Sequence, residues 1–71
     1  MMHQRRIDIG QRFRSVPSRP GWRTPVWEVI EVYVSRIDRV EYARARSRED
    51  PTVEKTVAVT ALLDPRLYRL E

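Results

Sequence analysis

The stretch "VWEVIEVYV", residues 26–34, decides the fold. Seven of its nine positions are valine, isoleucine, tryptophan or tyrosine. β-Branched and aromatic side chains lose rotamer freedom against the preceding turn of a helix but pack well on a pleated surface, so the stretch reads as a strand. Its alternation slips near Ile30-Glu31: Trp27 and Val29 share one parity, Val32 and Val34 the other. A β-bulge realigns the two halves and adds the bend that a small curved sheet needs.

Downstream, "SRID" at 35–38 reads as a turn into "VEYARARSR", residues 40–48. As a helix, 36–48 would offer a stripe of Ile37, Val40 and Arg44, with Tyr42 and Ala45 off it, too thin to bury. As a strand it turns Ala43 and Ala45 to one side and Val40, Tyr42, Arg44, Arg46 and Arg48 to the other, and small alanines suit the tight interior of a little barrel. "SREDPT", 47–52, is a polar loop with an Asp-Pro turn signal that closes a hairpin. "EKTVAVTALL" then alternates with Val57, Val59 and Ala61 inward and Thr56, Ala58 and Thr60 outward. The inner face runs on into Leu62 and Leu63. Asp64-Pro65 breaks the run, which predicts one helical turn around 61–65 before a last short strand in "RLYRL" that uses Leu67 with Tyr68 or Leu70.

Upstream, "IDIGQRFRSV" alternates so as to place Ile7, Ile9 and Phe13 on one side, with Gly10 as a turn or bulge before a short strand at 11–16. "PSRPGWRTP", 17–25, contains three prolines, each lacking a ladder donor, and Pro20-Gly21 is a turn signal. It reads as an irregular loop carrying Trp22. Residues 1–6 read as a mobile basic tail ahead of a single domain over 7–71.

Seventy-one residues bound the core, because a chain this short buries only about 60% of its unfolded surface. There is no cysteine, hence no disulfide and no thiolate metal site, and the single histidine is His3. The longest apolar run is far short of the roughly 20 residues that span a bilayer, and no secretory signal is visible. A soluble cytoplasmic protein without a membrane partner is expected. Net charge is +4, and its distribution is uneven: residues 1–25 hold six arginines against Asp8 alone, whereas 26–71 hold eight bases against nine acids. An N-terminal positive field attracts phosphates or other anions. The plainer explanation is codon usage, since thirteen of the fourteen bases are arginine and Lys55 is the exception.

The order of features, with "GQRF" entering the first strand, "WEVIEV" as the long second, "KTVAVTALLD" as the fourth and "RLYRL" closing, resembles the small SH3-like barrels of little bacterial proteins over residues 9–70. The resemblance implies an all-β, partly open barrel of four to five antiparallel strands with a short helical turn before the last.

An enzyme needs an acid or base placed by its surroundings, and a cleft. No such pair stands out: Glu28 and Glu31 are three apart on a strand, and Glu49-Asp50 lie in a polar loop. Two glycines cannot make a phosphate loop. No catalysis, cofactor, metal or small-molecule substrate is expected. Binders of RNA or single-stranded nucleic acid combine a basic groove with aromatic platforms. Tyr42, Arg44, Arg46 and Arg48 form one candidate stripe; Arg12, Arg14, Arg19, Trp22 and Arg23 form a second patch around the early loop. The bland alternative puts Trp22 and Trp27 in the core, Tyr42 on its rim, and the arginines opposite Glu28, Glu31, Glu41 and Glu54 for a few tenths of a kcal/mol each. The rival class is a protein-interaction module, with Trp22, Tyr33, Tyr42 and Tyr68 as groove walls and "SREDPT" as an acidic rim, though the adjacent aromatics of eukaryotic SH3 domains are missing. Homodimerisation through an unpaired edge strand belongs to the same class.

Overall fold

A computed structural model describes residues 6–71. Five strands lie in sequence as β1 (Arg12–Ser15), β2 (Trp27–Val34), β3 (Glu41–Ser47), β4 (Glu54–Ala58) and β5 (Tyr68–Leu70), with one helical turn, α1 (Val59–Leu62), before the last. All pairings are antiparallel, and the spatial order is β4-β3-β2-β1-β5. The chain is all-β, as its composition of strand formers demands. The expected tail over 1–6 lies outside the described residues apart from Arg6, which pairs with Asp8 at 3.1 Å.

The slip in β2 is a bulge. Pairing with β3 shifts between Val29 and Glu31, after which Val32 faces Ala43 and packs against the core beside Val29. β3 is extended throughout its length, with Ala43 and Ala45 fully buried. They share the core with Phe13, Val29 and Leu62, the largest fully buried side chains. Burying each of these is worth about 1.5–3 kcal/mol. Ile7, Trp27 and Val59 complete the cluster.

The sheet stays open between β4 and β5. Two devices span the gap: α1, which packs on β3, β4 and β5, and Lys55. From β4, Lys55 turns inward and sets its Nζ 4.5 Å from the ring centre of Trp27, 5.3 Å from Tyr68 and 5.7 Å from Phe13. The ammonium thus ties β4 to β1, β2 and β5 through cation–π attraction.

Three sequence expectations need correction. The helical turn begins at Val59, not near 61, so Val59 and Ala61 are not strand residues. Burial of Val59 and Leu62 under the sheet overrides the strand preference of Val59 and Thr60. Ile9 is 70% exposed instead of sharing the core with Ile7 and Phe13: the turn closed by Gln11 N–H on the Asp8 carbonyl, with Gly10 at φ 94°, breaks the alternation at that point. Leu67 precedes β5 and is half exposed, because its N–H is held in the turn by the Asp64 carbonyl at 3.0 Å.

Candidate functional site

Register places the predicted stripe. On the outer face of the sheet Arg12 stands opposite Glu28, Glu28 opposite Arg46, and Arg46 opposite Glu54, a row of alternating sign across four strands. Arg12 Nε reaches Glu28 at 3.2 Å and Arg46 reaches Glu54 at 3.3 Å. Arg48 adds a second cation to Glu28 at 3.6 Å, while Arg44 lies between Glu31 at 3.4 Å and Glu54 at 3.7 Å. Tyr42, Arg44 and Arg46 do share one outward face, as the alternation required. Yet Arg12, Arg44, Arg46 and Arg48 all meet carboxylates there. Each pair is half solvated and contributes about 0–1 kcal/mol to stability, but together they cancel most of the stripe's charge.

The remaining predicted residues scatter. Arg14 stands in β1, within the strand expected at 11–16: it lies beside Arg69 of β5, and its guanidinium donates to both carboxylate oxygens of Glu71 at 3.2 Å. Tyr42 stacks at a tilt on Tyr33, ring centres 5.9 Å apart, and donates its hydroxyl to Asp38 at 2.6 Å. That bond, with the Val40 N–H, holds the Asp38 carboxyl below its ordinary range, and the Asp38 acceptor in turn raises the Tyr42 phenol.

Trp22 is not a core residue. It is 58% exposed, and its surroundings explain why. Pro20-Gly21 forms a tight turn, with Gly21 at φ 81°, a conformation glycine adopts without Cβ strain, and Trp22 N–H closing on the Arg19 carbonyl at 3.3 Å. The closure brings the two flanking side chains together, so that the Arg19 guanidinium lies 5.0 Å over the indole. Thr24 Oγ1 donates to the Ser15 carbonyl at 2.8 Å and fastens the loop to β1. Arg23 follows, exposed, and among the described residues neither Arg19 nor Arg23 forms an ion pair.

The two patches are separate. The loop enters β2 at Trp27, whose partner is Ser47, whereas Tyr42 pairs with Tyr33. Six residues of strand put these rows about 20 Å apart. Arg48, whose N–H bonds the Val26 carbonyl at 2.8 Å, is the stripe residue at the loop's end of the sheet.

Lys55 was missed as a feature of interest. Its parity with Val57 in "EKTVAV" already pointed it inward, and burial among the rings pushes its pKa down. Among the described residues no three His, Cys, Asp or Glu side chains gather into a metal-holding group, and no helix is long and apolar enough to cross a membrane. No protein-family model, curated protein or solved structure matches the chain.

Proposed function

We propose that the protein is a small non-enzymatic domain, working in the cytoplasm, that binds RNA or another single-stranded nucleic acid through the β1–β2 loop. One observation carries this reading: an exposed indole with a guanidinium across its face and a second arginine beside it, none of the cations engaged by a carboxylate. A flat ring in solvent is a platform for any base, since every base has a π-face, and uncommitted arginines bind phosphate. Arg48 lies at the same end of the sheet but shares Glu28 with Arg12 and is not counted in the patch. The outer stripe of β3 has the same residue types but spends them on Glu28, Glu31 and Glu54, so it serves as scaffold in this reading.

Fluorescence anisotropy with a labelled single-stranded oligonucleotide, titrated with salt, tests the assignment. Each arginine withdrawn from a phosphate lowers the slope of log K against log salt by about 0.7. Removing Arg19 and Arg23 together is therefore expected to flatten it by roughly 1.4, and removing Arg44 and Arg46 to leave it nearly unchanged. A protein that binds no oligonucleotide even at ~50 mM salt, where phosphate contacts are strong, is not a nucleic-acid binder. Equal flattening in both double variants returns the site to the strand stripe.

A further inference from the structure

At the end of the sheet opposite the Trp22 loop, β2 runs on past its pairing with β1, and β3 extends one residue beyond β4. β1 pairs with β2 only at Glu28 and Trp27, and β4 ends its pairing with β3 at Tyr42. The Val34–Glu41 row and the turn 35–40 project as an arm. The arm is stiff: Arg39 N–H bonds the Ser35 carbonyl at 2.9 Å, Ile37 N–H bonds Ser35 Oγ at 3.2 Å, and Asp38 takes Val40 N–H at 2.9 Å together with the Tyr42 hydroxyl. At its tip Ile37 is 96% exposed, with Val34 at 60% behind it. Nothing in the turn's hydrogen bonding requires an isoleucine there.

Beside the base of the same arm runs an open groove of about 510 Å³ lined by Arg6, Ile7, Asp8, Ile9, Val32 and Glu41. Ile7, Ile9 and Val32 supply its apolar lining, and of its charged residues Arg6 and Asp8 pair with each other at 3.1 Å while Glu41 stands apart. Glu41 on the groove's rim makes no ion pair among the described residues, and neither do Arg36 and Arg39, which flank Ile37. The arm therefore bears an apolar knob between free cations, next to an apolar groove edged by a free anion.

We propose that the occupant of this groove is the Ile37 tip of a second copy of the chain. The groove lies beside the base of the arm that carries the tip, so a two-fold axis between antiparallel arms seats both knobs at once, an isologous contact in which each half repeats the other. Arg36 and Arg39 of one copy then approach Glu41 of the other, the rim carboxylate that no described cation of its own chain engages. The Trp22 loop, at the far end, stays open in both subunits, so the dimer presents two nucleic-acid patches pointing away from each other.

The chain lacks cysteine, which makes cross-linking clean. Variants Ile37→Cys and Ile9→Cys, mixed and oxidised, are expected to give the mixed disulfide dimer in preference to either symmetric one. By sedimentation, the otherwise unaltered protein dimerises, and Ile37→Asp raises the dissociation constant about tenfold or more, the loss of one central apolar anchor. Arg36→Glu weakens the dimer, and adding Glu41→Arg to it restores association. Circular dichroism of each variant guards against misfolding. A protein monomeric at every concentration overturns the proposal. So does a dimer that Thr56→Lys dissociates while Ile37→Asp leaves it intact, because Thr56 lies on the open margin of β4 and that outcome assigns the contact to strand pairing. Oligonucleotide binding by an Ile37→Asp monomer separates failure here from failure of the loop assignment.

Discussion

Two groups of arginines in this chain meet opposite fates. Those on the outer face of β1 and β3 stand at fixed cross-strand positions, where antiparallel register sets a glutamate opposite or diagonal to each. Those in the β1–β2 loop stand where no neighbouring strand exists to supply one. Residue type alone would rank "RARSR" above "SRPGWR" as an anion site. The pairing geometry reverses that order, because a guanidinium already sharing a carboxylate must give up that contact before it takes a phosphate. Basic sequence marks a binding site only where the fold leaves the bases unanswered.

The contrast also separates stability from binding, and variants on either side of it should move different observables. The largest effect is expected on the face that neither arginine group occupies. Phe13→Ala empties a fully buried position between Lys55 and Tyr68 and is expected to cost about 3–5 kcal/mol, most of the stability of a domain this small, read from a urea melt. In the loop, Trp22→Ala is expected to leave the melt within about 0.5 kcal/mol of the parent and to weaken oligonucleotide binding by about 1–3 kcal/mol. If the melt collapses, the indole is structural after all.

On the ladder, Glu28→Gln removes the shared partner of Arg12 and Arg48. Stability is expected to change by less than about 1 kcal/mol, while affinity for the oligonucleotide rises as two cations are released. A fall in affinity would break the idea that carboxylates silence the stripe. The smallest effect is acid sensitivity. The Tyr42 hydroxyl holds Asp38 below its ordinary value, Thr52 does the same for Asp50, and Arg66 for Asp64. A carboxyl depressed in the fold stabilises above its unfolded value, near 3.8 for these groups, and that stabilisation is lost as pH falls through the folded value. The melting temperature should therefore be flat from neutral pH to about pH 5 and decline below about pH 4. A decline that begins near pH 6 would point to other groups.

The strands were legible because their signal is local. Seven β-branched or aromatic residues in nine announced β2, its parity slip announced the bulge, and alanines two apart announced the crowded face of β3. The misplaced features depend on what lies across the sheet. Ile9 follows the inward parity until Gly10 turns the chain, and Val59 reads as strand until it meets the end of the sheet and must fold under. Trp22 had no period to follow, since loops carry none. The neutralised stripe was visible only as a list of available acids; which glutamate meets which arginine depends on turn lengths and on the bulge, and these fix register only once the sheet is assembled.

Lys55 has a consequence beyond its own packing. β4 has a hydrogen-bonded neighbour on one side alone, and such a margin invites a strand from another molecule. A newcomer that continued the sheet would have to extend its apolar layer past an ammonium already turned into that layer, and drawing the charge out would uncover three rings at once. An inward-pointing charge is one of the devices that make an edge strand a poor template for fibre growth.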